Sequence, residues 1–161
     1  MITAIKNAVK DTLNTLGIKN IYTEEEDASK HHASPYALMI KDPDEELVYD
    51  GSRVAYEING NIKKVRIRIY QRTVRYRIVV SSKDPENILN QLLANLKNLY
   101  DPQGNYISVY FEGIHPKNDP SVLRGDTIME MLVSFAGGVY QDKEYPLVNI
   151  NNIEIQMENG G

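Results

Sequence analysis

RVAYEINGNIKKVRIRIYQRTVRYRIVV, residues 53–80, is the stretch whose reading decides the fold. Val54, Tyr56 and Ile58 alternate with other positions, which puts them on one face of a strand, because strand side chains repeat with a period of two. Asn59-Gly60 follows. Both residues tolerate positive φ, so the pair predicts a hairpin with a type I′ turn. The return strand holds Val65, Ile67 and Ile69 in one phase and Val74, Tyr76, Ile78 and Val80 in the other. Such a change needs a turn or a β-bulge near Tyr70 to Thr73, and no Gly, Pro, Asn or Asp stands there to make a tight turn. One long, bent, bulged strand is therefore expected.

Working towards the N-terminus, Asp42-Pro43-Asp44 reads as a turn and Tyr36 to Ile40 as a strand. Glu24, Glu25, Glu26 and Asp27 open a polar stretch that runs through His31-His32 to Pro35. Four adjacent carboxylates repel one another and show no periodicity, so this stretch reads as a solvated loop. Residues 18–22 form a short apolar run, read as a first strand. Ile2, Ile5, Val9, Leu13 and Leu16 recur at helical spacing before Gly17, which predicts a helix over 3–16.

Towards the C-terminus, Asp84-Pro85-Glu86 is a helix start, with Asp as N-cap, Pro at the first helical position and Glu near the positive end of the dipole. Ile88, Leu89, Leu92, Leu93, Leu96 and Leu99 carry its apolar stripe, and Asp101-Pro102-Gln103-Gly104 ends it. Tyr106 to Glu112 reads as a strand and Gly113 to Pro120 as a loop. Met129, Met131, Val133 and Phe135 alternate on a further strand, which Gly137-Gly138 breaks or bulges. A last extended region, 147–157, holds Val148 and Ile150 in one phase and Ile153 and Ile155 in the other. The expected fold class is α+β: a mixed, largely antiparallel β-sheet with two packed α-helices, in one domain over 1–157 with a frayed tail at 158–161.

A chain of 161 residues with 42% apolar and 25% charged side chains suits one globular domain. Its 18 basic and 22 acidic side chains leave a net charge of −4, which argues against coating nucleic acid or an anionic membrane with the whole surface. Without cysteine there is no disulfide and no thiolate chemistry. No apolar run approaches the ~20 residues of a membrane span, and the N-terminus does not resemble a signal peptide, so a soluble chain made for a reducing compartment is expected. The 11 Tyr against 2 Phe and no Trp suit amphipathic strands or interfaces.

Catalytic chemistry is not legible. His31, His32 and His115 lack metal-ligand spacing, and the carboxylates cluster where solvent keeps their pKa ordinary. Ser34, Ser52, Ser108 and Ser134 lack a nucleophile-elbow context, and neither Asn59-Gly60-Asn61 nor Gly137-Gly138 matches a phosphate-binding loop. No catalytic residue, metal site or cofactor is expected.

The unusual feature is basic. Lys63, Lys64, Arg66, Arg68, Arg72, Arg75 and Arg77 alternate with apolar residues, which predicts a row of cations along one strand. Phosphates would make this row, residues 63–77, a nucleic-acid-binding groove, with Tyr70 available for stacking. The chain's own acidic loops could neutralise it, or carboxylates of a neighbouring subunit could make it an interface. The remaining alternative is a solvated strand face protected from edge aggregation. The acidic chain as a whole places direct nucleic-acid binding behind the others.

The short N-terminal helix, the acidic loop, the Arg-rich strand from Val65 to Val80, the Asp-Pro-capped helix at 84–99 and the two strands after it form one layout. This layout resembles that of the tail terminator (tail completion) proteins of tailed bacteriophages and related contractile particles. Arg72-Thr73-Val74-Arg75-Tyr76, leading into Ile78-Val79-Val80 and Asp84-Pro85, carries most of the likeness. The resemblance implies a non-catalytic α+β subunit of a homohexameric ring that caps the tail tube and presents a surface for head or neck joining. It further implies a virion tail protein assembled in bacterial cytoplasm. Its partners would be the tail tube protein and possibly sheath and neck or connector proteins, with no membrane. On that reading Arg66, Arg68, Arg72, Arg75 and Arg77, with Glu24, Glu25, Glu26 and Asp27, are subunit or partner contacts, and the C-terminal segment could add a strand to a neighbour.

Overall fold

The computed structural model describes residues 1–30, 33–117 and 126–147. His31, His32, most of the last extended region and the 158–161 tail lie outside the described residues. In chain order the elements are α1 (Ile2–Thr15), β1 (Asn20–Tyr22), α2 (Glu25–Lys30), β2 (Tyr36–Asn59), β3 (Ile62–Ser82), α3 (Pro85–Asn95), a 3-10 turn (Leu96–Asn98), β4 (Leu99–Tyr100), β5 (Tyr106–Lys117) and β6 (Thr127–Pro146). The six strands form one mostly antiparallel sheet in the order β1-β2-β3-β6-β5-β4, so the fold is α+β. Its packing divides it into two compact units, one made of Met1–Leu47 and Arg72–Gly137, the other of Val48–Gln71 and Gly138–Gly161. Strands β2, β3 and β6 each contribute to both.

The first unit holds α1, α2 and α3 and a closed core. Ile5, Val9 and Leu13 of α1 are fully buried, as their helical spacing requires. The helix ends where Gly17 N–H donates to Asn14 O (3.1 Å) and Ile18 N–H to Leu13 O (2.9 Å), the bond pair of a Schellman cap. Asp84 caps α3 by accepting from Asn87 N–H (3.3 Å), and Pro85 sits at the first helical position. Leu89 and Leu92 face the core from α3, Leu96 from the 3-10 turn and Leu99 from β4. The predicted stripe thus spans three elements. The helix stops early because Leu99 and Tyr100 pair with Ile107 and Tyr106 of β5. On β3 Val74, Tyr76, Ile78 and Val80 join this core, with the Tyr76 ring edge-on to Phe135 of β6 at 5.7 Å, while Val79 is buried in a second, smaller cluster with Leu38 and Ile128.

Four local expectations are corrected. Glu25, Glu26 and Asp27 form the first turn of the short helix α2, where the exposed amide end favours negative charge, rather than a loop. Asp42-Pro43-Asp44 lies within β2. The side chain of Asp42 accepts from Asp44 N–H (2.9 Å), a local bond beside a proline that has no N–H to offer. The segment after Gly113 continues β5 to Lys117, because a bulge between Phe111 and Gly113 absorbs one residue and restores pairing with β6. Of the break or bulge expected at Gly137-Gly138, the break is what is corrected, since β6 runs on to Pro146; a Cβ at Gly137 would meet Met1 Sδ at 2.5 Å, so glycine admits the residue before α1 to the strand.

The second unit is sheet among its described residues. Its hairpin is the predicted one with the turn one residue later, at Gly60 and Asn61, and Gly60 takes φ +61°. Leu147 N–H donates to Asn61 O (2.7 Å), tying the end of the described chain to the hairpin turn. Val65 is buried here, and the burial phase of β3 changes between this residue and Val74, as the sequence predicts.

Candidate functional site

Alternation on β3 aims Arg66 and Arg68 away from Val65, and Arg75 and Arg77 away from Val74, Tyr76 and Ile78 onto the face where Val79 is buried, whereas Arg72 shares the parity of Val74 and Tyr76. In the second unit Arg66 makes a bidentate pair with Asp142 of β6, Nε to Oδ1 at 2.9 Å and Nη2 to Oδ2 at 3.3 Å. Its guanidinium also lies 5.7 Å from the centre of the Tyr140 ring. Arg68 pairs with Asp50 of β2, and Lys64 lies 3.5 Å from Glu144.

In the first unit Arg72 holds Glu45 with both arms, at 2.6 and 2.7 Å, and Lys41 reaches the same carboxylate at 2.7 Å. Arg75 lies 3.4 Å from Glu112, whose Oε1 also accepts from Ser134 (2.6 Å). Arg77 pairs with Glu25 of α2 and stands 3.5 Å from Glu130. All five arginines therefore have carboxylate partners within the chain. Of the predicted sources of counter-charge, internal neutralisation is the one these contacts display, although several partners lie on strands rather than in loops.

The carboxylates respond as paired groups do. Hydrogen bonds from Arg72 and then Lys41 pull Glu45 down to about 2 from 4.5. Asp142 is lowered chiefly by the hydrogen bond from Arg66, and Asp50 by bonds from Ser52 and then Arg68. Chemically this is a fixed ionic ladder. A bound anion would have to displace a carboxylate already in place.

Of the acidic stretch, only Glu25 joins an arginine of the row among the contacts described above. Glu24, Glu26 and Asp27 line, with Glu25, a cavity of about 650 Å³ that also touches Lys6, Met39, Lys41 and Tyr76. Tyr76 is only 2% exposed and its hydroxyl has no hydrogen-bond partner among the described residues. Burial raises its pKa and keeps it a neutral phenol.

No protein-family model matches this sequence, and no curated protein matches it. Among the described residues no group of three or more His, Asp or Glu could hold a metal ion, and no helix is long and apolar enough to cross a membrane. His115 is exposed on β5 opposite Glu130.

Sequence reasoning found the arginines and missed most of their partners. A hairpin brings residues before its turn beside those after it, so Glu45 and Asp50 were within reach of that argument. Asp142 and Glu144 were not, because no local signal makes β6 the neighbour of β3. The orphaned Tyr76 hydroxyl depends on packing alone.

Proposed function

We propose that the protein is a structural subunit of a phage-like tail, forming a homohexameric ring that caps the tail tube and offers a surface for head or neck joining. The sequence resemblance motivates this reading. The observation that carries it is an apolar strand face left open in the second unit: Val54, Tyr56 and Ile58 are 44%, 69% and 55% exposed on alternate positions of β2. Contiguous exposed apolar surface of this kind marks association. The arginine row contributes differently from the initial expectation. Its pairs are internal, so a subunit contact through Arg66 or Arg77 requires exchange of carboxylates, and the apolar face becomes the leading contact. The nucleic-acid alternative asks the same guanidiniums to give up partners at 2.6–3.4 Å, which disfavours it.

Light scattering coupled to size exclusion tests the proposal over a concentration series, with and without a tail tube protein. A ring-sized mass that Tyr56→Ser plus Ile58→Ser reduces to monomer is expected. A monomer under every condition overturns it.

A further inference from the structure

The outer edge of β2 in the second unit carries a pattern that the ionic ladder does not use. β2 lies between β1 and β3, and β1 pairs with it only at Tyr36, Ala37 and Leu38. Along residues 52–58 no strand lies on its outer side among the described residues, and residues 53–58 are all exposed. An open edge presents a row of unpaired N–H and C=O groups, a template for another strand. Proline and lysine commonly blunt such edges, and neither occurs between residues 44 and 59. Gly51, with φ +65°, bounds the regular stretch on its N-terminal side.

This stretch is complementary to its own reverse. Laid antiparallel about Ala55, Arg53 of each copy faces Glu57 of the other, and Val54 of each faces Tyr56 of the other. Opposite charges and aromatic–β-branched neighbours are both favourable cross-strand pairs. Arg53 and Glu57 make no ion pair among the described residues, whereas Arg66, Arg68, Arg72, Arg75 and Arg77 all do. The two charges can therefore meet across the edge without displacing a partner. Other registers lose this match. Parallel pairing in register sets Arg53 on Arg53 and Glu57 on Glu57, and centring on Val54 or Tyr56 sets the charges against Gly51, Ala55 or Asn59. We propose that β2 pairs edge to edge with β2 of a second copy, antiparallel and two-fold about Ala55. A two-fold contact closes on itself, so it makes a pair and not a ring, and it stands apart from the ring reading. It also sets the exposed Val54, Tyr56 and Ile58 of two copies side by side as one wider apolar surface.

Sedimentation velocity of the full chain at rising concentration, up to about 1 mM, tests the pair through its charges. A monomer–dimer equilibrium is expected. Arg53→Glu and Glu57→Arg should each weaken dimerisation about tenfold or more, because each sets like charges opposite at two places. Both changes together restore opposite charges and should return the affinity to within about threefold of the parent. Arg53, Ala55 and Glu57 are exposed, so these variants leave the core untouched. Register is read by cross-linking, since the chain has no cysteine. Ala55→Cys sets a thiol beside its own copy, with Cα atoms about 4.5–5.5 Å apart and within disulfide reach. Under mild oxidation it should cross-link at least about tenfold faster than Ser52→Cys, whose two copies lie far apart in this register. Monomer throughout, association that neither charge variant weakens, a loss that the double variant does not recover, or equal cross-linking from residues 52 and 55 overturns the pair. A ring that persists while the charge variants change nothing keeps the assembly reading and removes this one.

Discussion

The two units contain the same strand grammar with opposite outcomes. Val74, Tyr76 and Ile78 alternate on β3 and are at most 2% exposed, whereas Val54, Tyr56 and Ile58 alternate on β2 and are 44–69% exposed. The difference is what lies over the face. In the first unit α1 and α3 bring Ile5, Val9, Leu13, Leu89 and Leu92 onto the sheet. In the second, no helix is present among the described residues. Alternation therefore decides which side chains share a face, while a covering layer decides whether that face becomes a core. Burial of the first kind contributes roughly 1.5–3 kcal/mol per large apolar side chain, and an open face forgoes most of it.

The largest expected effect breaks the first unit. Phe135 is fully buried against Tyr76, so Phe135→Ala removes a ring from a closed core and should cost about 3–5 kcal/mol. Tyr56→Ser in the second unit, measured at a concentration where the chain is monomeric, should change stability by no more than about 0.5 kcal/mol. Urea unfolding followed residue by residue by amide hydrogen exchange reads both, because helical circular dichroism reports only the first unit, which holds α1, α2 and α3. Equal costs would mean that the apolar face of β2 is covered after all, and the contrast between the units would be lost.

This contrast also explains what the sequence could reveal. The hairpin, the phase change on β3, the Asp84 cap and the α1 stripe are local patterns, each set by a few neighbouring residues, and all are present. Glu25 to Asp27 misled because charge repulsion pointed to a loop while the helix dipole favoured the same residues. Asp42-Pro43-Asp44 and Gly113 misled because a strand can absorb a proline or a bulge when its neighbours hold the register. The arginine row was legible as a row. Its division between two units, and its pairing with Glu45, Asp50, Glu112 and Asp142, depended on which distant strands lie alongside.

A middle-sized effect sharpens the comparison through pH. Glu45 is half-buried and held by Arg72 and Lys41, which lower its pKa from 4.5 to about 2. A depressed carboxylate pKa means that the folded state favours the ionised form. Its contribution is complete above about 4.5 and is lost as pH falls towards 2. Glu45→Gln should therefore cost roughly 1–2 kcal/mol near neutrality, the range of charged hydrogen bonds reduced for partial exposure. The variant and the parent should converge as the medium is acidified towards pH 2. A gap that stays constant across this window would remove the assigned role of the Glu45 charge.

The smallest effect is expected in the second unit, at Lys64. Its ammonium meets Glu144 at a single 3.5 Å contact, with the two side chains 50% and 61% exposed. Water screens such a pair, and ordering two long side chains offsets most of the attraction, so Lys64→Met should alter stability by no more than about 0.5 kcal/mol. Arg72 and Glu45, by contrast, share two short bonds with side chains 29% and 21% exposed. Unfolding of the Lys64 variant at low and high salt, beside Glu45→Gln, measures the two ionic arrangements on one scale. A loss above about 1 kcal/mol at Lys64 that high salt abolishes would show that the ladder, rather than strand pairing, holds the second unit together. The open apolar face would then be tolerated because charge does the work of a core. A near-zero effect leaves strand pairing and Val65 as its support, and makes a covering partner the missing layer.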